Sequence, residues 1–108
     1  MKKFKCTVER TDEYIIEIDE NIINEEWMEH FRKYFYNFHD LEEHAEHIAQ
    51  FRARFGEHDF IEGYGIPLVN GKKPWSITDD KYKDYECGIN IIIKSEDEQC
   101  EVEVEEIK

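Results

Sequence analysis

A chain of 108 residues, 40% apolar and 14% aromatic, holds enough material for one domain with a modest core and is too apolar for wholesale disorder. Its 14 basic and 27 acidic residues leave a formal charge of −13, which argues against direct binding to nucleic acid because a phosphate backbone would be repelled. No apolar run approaches the roughly 20 residues of a membrane-spanning helix.

Met1-Lys2-Lys3 leads directly into an alternating pattern instead of the apolar segment of a signal peptide. Cys6, Cys87 and Cys100 make an odd count with no C-x-x-C pair, the usage of a reducing compartment. The expected location is cytoplasmic. Residues 1–108 are expected to form a single domain.

In chain order, residues 3–9 alternate with Phe4, Cys6 and Val8 on one face, and residues 14–19 continue with Tyr14, Ile16 and Ile18. A polar turn between them predicts a hairpin with one buried face. The period then changes. Ile23, Trp27, Phe31, Phe35 and Phe38 recur at helical steps, with Asn24 as N-cap and Glu25 and Glu26 at the positive end of the helix dipole. A second helix is predicted from Asp40, paired with Glu43 in a capping box, through the stripe Leu41, Ala45, Ile48, Phe51 and Phe55 to Gly56.

Strand character returns over residues 60–69, and Asn70-Gly71 is the favoured two-residue hairpin turn into Lys72-Lys73-Pro74-Trp75. Residues 76–87 read as a charged loop. Ile89, Ile91 and Ile93, then Cys100, Val102 and Val104, predict a closing hairpin. The order ββ-αα-ββ-ββ predicts an α+β fold, an antiparallel sheet with two helices packed on one face. Trp27, Phe31 and Phe35 are expected to be buried against Ile16, Ile18, Ile91 and Val102.

Motifs for chemistry are sparse. His30, His39, His44, His47 and His58 cluster in the sequence, and His44 and His47 stand at i, i+3 beside Glu43. A structural zinc site wants four ligands in paired spacing, and His44-Ala45-Glu46-His47 does not have the H-E-x-x-H spacing. These histidines therefore read as solvated helix-face groups. Glu62 is the acid with the closest aromatic company, Cys87 has acidic neighbours that discourage a thiolate, and Gly63-Tyr64-Gly65 reads as a bulge or close backbone approach in a strand. A non-enzymatic protein is expected, with no catalytic residues, no metal and no cofactor. A histidine- or metal-dependent enzyme is the least favoured alternative.

Charge distribution carries more. Residues 79–108 hold 11 acids and four bases, or −7 of the total −13. Glu101, Glu103 and Glu105 project from one strand face at intervals of about 6.6–6.8 Å, close to the separation of successive phosphates on a nucleic-acid strand. A solvated, solubilising face is the alternative reading. Six of the twelve residues 27–38 are aromatic, and the succession Tyr34-Phe35-Tyr36 cannot all face one core, so some rings must meet solvent or a partner. The expected partner-binding residues are Glu96, Asp97, Glu98, Glu101, Glu103, Glu105, Tyr34 and Tyr36, facing a protein with a basic surface. No membrane and no direct nucleic acid is expected. A homodimer through the aromatics of the first helix, in a small accessory or housekeeping domain, is the alternative.

With its Glu-rich strands, aromatic load and Glu26-Trp27-Met28-Glu29 helix start, the chain resembles small acidic inhibitors of host defence carried by phages and mobile elements, the anti-CRISPR and antirestriction proteins. It is also similar in texture to small proteins of gut Bacteroidetes and their mobile elements. The likeness is compositional, spans the whole chain and matches no motif. It implies a non-enzymatic inhibitor, in some cases a mimic of DNA.

Overall fold

The computed structural model describes residues 1–57, 60–97 and 101–108. The elements in chain order are β1 (Lys3–Glu9), β2 (Glu13–Ile18), α1 (Glu25–Tyr34), α2 (Leu41–Phe55), β3 (Ile66–Val69), α3 (Asp79–Tyr85), β4 (Glu86–Ser95) and β5 (Glu101–Ile107). The fold is α+β, with antiparallel pairing of β1 with β5 and of β2 with β4, and the order ββ-αα-ββ-ββ holds. The second member of the second strand pair is reduced to a single bridge between Val69 and Lys72, and a short helix occupies the stretch expected to be a loop.

The strands pair differently from the predicted hairpins. They form two sheets: β2-β4-β3, and a separate two-stranded arm of β1 and β5. β2 runs antiparallel to β4, with Ile18, Ile16 and Tyr14 opposite Ile89, Ile91 and Ile93. The chain does not reverse between β1 and β2. Arg10 grips the Asp12 carboxylate at 2.7 Å, Thr11 N–H donates to Asp97, and Asp97 N–H donates back to Asp12. This reciprocal clamp sends β1 outward as an extension of β2, to pair with β5 instead.

Asn70 and Gly71 adopt positive φ, 51° and 78°, as the Asn-Gly turn requires. Lys72-Lys73-Pro74 does not continue as a strand, and β3 lies parallel to β4. Parallel neighbours need a crossover, and the segment containing α3 supplies it.

Both main helices are capped as the sequence predicts. Asn24 accepts from Trp27 N–H at 2.9 Å, and Asp40 accepts from Glu43 N–H at 2.8 Å. α1 ends at Tyr34, short of the expected Phe38. Arg32 donates to the Phe38 carbonyl at 3.0 Å and folds residues 35–40 back toward the helix.

The core sits between the helices and the three-stranded sheet. It comprises Ile23, Met28, Phe31, Ile48, Ile61, Tyr64, Cys87, Ile89 and Ile91, with Trp27, Phe38, Ile16 and Ile18 packed half-buried around it. Phe31 and Ile91 are buried as expected. Phe35 is 41% exposed, and Val102 is exposed because it belongs to the arm. On α2 the buried line is His44, Ile48 and Arg52, at steps of four residues, so the helix is turned from its expected stripe and Phe55 faces outward.

Every residue of β1 and β5 is exposed. The molecule measures 55 × 32 × 25 Å, and its radius of gyration is 17.5 Å where a compact chain of this length would have about 13 Å. The arm accounts for the excess.

Candidate functional site: an aromatic groove and an acidic arm

Two regions are candidates for a functional surface, and they lie in different elements. The first is a groove of about 490 Å³ between the end of α1, the 35–40 segment and the outer face of α2. Its walls include Tyr34, Phe35, Tyr36, Phe51 and Phe55, with His47, Arg54 and Glu62 among the polar groups.

The rings stand where they do because α1 stops at Tyr34. The chain then leaves helical geometry, with φ −126° and ψ −104° at Phe35, and three successive aromatics splay onto one surface. Tyr36 is held from below by Phe38 at 5.5 Å between ring centroids and by His47 at 4.9 Å. The exposures of Tyr34, Tyr36 and Phe55 are 69%, 54% and 53%.

Beneath the groove is a nest of rings. Phe31 packs against Trp27 at 5.2 Å, Phe35 at 5.0 Å, Tyr64 at 5.1 Å and His44 at 4.8 Å. Gly63, at φ +90°, lets the backbone approach so closely that a Cβ there would fall 2.7 Å from the Phe31 ring. The close approach expected of Gly63-Tyr64-Gly65 is present, but in a turn closed by the bridge between Ile61 and Gly65 and not in a strand.

His44 corrects the reading of the histidines as solvated. It is completely buried, shares a 2.6 Å hydrogen bond between Nδ1 and the Tyr64 hydroxyl, and stands nearly perpendicular to Phe31 and Phe38. Its Nε2 has no hydrogen-bond partner among the described residues. Burial is the main cause that lowers its pKa, with the neighbouring His47 charge second, so His44 is a neutral core residue. Burial lowers the pKa of His47 as well. His58 lies outside the described residues. No group of three or more His, Cys, Asp or Glu side chains among the described residues is placed to hold a metal.

Cys87 is buried, and burial pushes its thiol up to about 11. Low thiolate character therefore follows from desolvation more than from the acidic neighbours that the sequence suggested. Glu62, noted in the sequence for its aromatic company, lies in the groove wall.

The second region is the arm. Paired residues of an antiparallel ladder share a face, so Glu101 lies with Glu9, Glu103 with Thr7 and Glu105 with Lys5. Glu101, Glu103 and Glu105 do project from one exposed face, and Glu9, which sequence reasoning left out, joins them. Lys5 offsets Glu105.

The remaining acids divide. Glu96 lies at the base of the arm, where Arg52 donates to it at 3.0 and 3.3 Å and the Tyr14 hydroxyl at 2.6 Å. These bonds, the Arg52 bond foremost, hold its carboxyl below the usual carboxylate range. Asp97 belongs to the clamp with Asp12 and Thr11. Glu96 and Asp97 thus fasten the arm to the body and do not share the acidic face of the arm. Glu98 lies outside the described residues.

Among the described residues, no helix is long and apolar enough to cross a membrane. Comparison of the chain with protein-family models, curated proteins and solved structures gives no match.

Proposed function

We propose that this chain is a non-enzymatic interaction protein that binds a partner with a basic surface, a surface of the kind that grips nucleic acid. By covering that surface it would act as an inhibitor or nucleic-acid mimic, the role implied by its resemblance to anti-CRISPR and antirestriction proteins.

The observation that carries this reading is the groove. Tyr34, Phe35, Tyr36 and Phe55 stand 41–69% exposed in one concavity beside Arg54 and Glu62. Contiguous exposed rings mark interaction surfaces, and Tyr and Arg are the residues that dominate binding energy there. A pocket for a small molecule would bury its walls more deeply, although the volume lies within that range. The charge of −13 supplies the sign of the partner, and the row of Glu9, Glu101 and Glu103 on the arm supports steering of a basic protein into contact.

The test uses a partner captured from the native host and then purified. Tyr36→Ala and Phe55→Ala should each weaken binding by about tenfold or more, the loss of one hot-spot ring. Single-stranded or duplex DNA should compete with the chain for the partner. Binding that survives both ring deletions and is indifferent to nucleic acid would overturn the proposal.

A further inference from the structure

The arm presents a problem of its own. An isolated two-stranded ribbon is marginal in water, yet β1 and β5 extend together for seven residues with all their side chains exposed. One face carries Phe4, Cys6, Val8, Val102 and Val104, all exposed, with Glu106 at its end opposite Phe4. β1 pairs with β5 along one edge, and its other edge pairs with no strand among the described residues. An open edge over an apolar face is a template for another strand.

We infer that the free edge of β1 pairs antiparallel with β1 of a second copy, about a two-fold axis at Cys6. The sequence Lys3-Phe4-Lys5-Cys6-Thr7-Val8-Glu9 is self-complementary in that register. Lys3 comes opposite Glu9 of the second copy, and Glu9 opposite its Lys3. Phe4 comes opposite Val8, an aromatic–β-branched pair, and Lys5 opposite Thr7. Each of these cross-strand pairs is favourable or neutral, and none sets like charges against each other.

The other edge does not offer this. Pairing β5 with itself about Val104 would set Glu103 against Glu105 twice and Val102 against Glu106. The acids of β5 therefore guard the outer edges of the resulting four-stranded sheet β5-β1-β1-β5, so assembly closes at two copies instead of propagating. The apolar residues of both arms then form one continuous surface. The groove residues take no part, so this pairing stands or falls separately from the reading of Tyr34 and Tyr36.

Light scattering after size exclusion, over a series from micromolar to millimolar concentration, should show a mass approaching twice 13.1 kDa. Glu9→Lys should weaken the dimer by about tenfold or more, because two inter-copy attractions become repulsions. It should not loosen the arm, since Glu9 faces Glu101 within its own chain and the substitution replaces a repulsion by an attraction. Adding Lys3→Glu restores opposite charges across the axis and should restore the dimer.

At the axis the two Cys6 Cα atoms would be about 4.5–5.5 Å apart, inside the range that a disulfide spans. In a Cys100→Ser background, copper(II)–phenanthroline, which takes up the two electrons as the Sγ–Sγ bond forms, should link two chains. Cys6→Ser should abolish the link. A monomer throughout the series, or a dimer indifferent to Glu9→Lys and not linked through Cys6, would overturn the inference.

Discussion

Replacing Phe31 by Ala removes the ring on which both the core and the groove floor rest. Phe31 is 3% exposed and lies within 6.0 Å, between ring centroids, of Trp27, Phe35, Phe38, His44 and Tyr64. The loss combines the transfer energy of a buried phenyl ring with the void it leaves, about 3–5 kcal/mol for a well-packed site. The site is poorly able to collapse, because Gly63 at φ +90° brings only backbone toward the ring and Met28, Ile48 and Ile61 are already buried. The upper part of that range is therefore expected. Against a total of about 5–15 kcal/mol for a domain, much of the stability would be gone. Urea unfolding followed by Trp27 fluorescence and far-ultraviolet circular dichroism would report the change as a lower midpoint at nearly constant slope. In a thermal melt the midpoint should fall by at least about 12 °C. A loss below about 1 kcal/mol would refute the packing argument, since no buried phenyl with this surround is so cheaply removed.

Other perturbations separate the roles assigned above. Gly63→Ala, measured by the same unfolding curves, should destabilise by about 1–3 kcal/mol, because a Cβ meets the Phe31 ring at 2.7 Å and φ is positive. Glu96→Ala strips the Arg52 guanidinium of its carboxylate and should cost about 2 kcal/mol, whereas Glu103→Gln on the open arm should stay within about 0.5 kcal/mol. Melts between pH 8 and 5.5 should show stability falling with acid. The folded-state pKa values of His44 and His47 lie below their ordinary 6.5, so the unfolded chain takes up protons that the folded one resists. That stability is present above about pH 6.5 and is lost as pH drops toward the folded value, and His44→Leu should flatten the dependence. A melting temperature that rises on acidification would show that relief of charge repulsion outweighs the buried histidines.

The local elements were legible in the sequence because their causes are local. Asn24 and Asp40 cap the helices they were expected to cap, Gly56 follows α2, and Asn70-Gly71 turns as its φ preferences demand. Strand pairing was not legible. The alternation of Phe4, Cys6 and Val8 is the same whether that face meets a core or solvent, and only the clamp between Asp12, Thr11 and Asp97, residues 85 or 86 apart, decides that β1 runs on from β2.

Of the candidate site, the aromatic part was foreshadowed: three consecutive rings cannot share one helix face, and Tyr34 and Tyr36 are both exposed. The acids were less separable, because Glu96 and Glu101 look alike in sequence while one meets Arg52 and Tyr14 and the other solvent. His44 and Arg52 were missed as core because polar residues do not register in an apolar stripe. Their positions four residues before and four residues after Ile48 are the signal that could have found them.

The central claim is that acidity and exposed rings together select a basic partner, and the salt dependence of that binding tests it most directly. Titrating the purified host partner from about 0.1 to 0.5 M salt crosses the range in which screening shrinks from about 10 Å toward a few ångströms. The account predicts an affinity that falls by about tenfold or more, chiefly through slower association, with a further drop when Glu101, Glu103 and Glu105 are changed to Gln. An affinity unchanged across that range would contradict it.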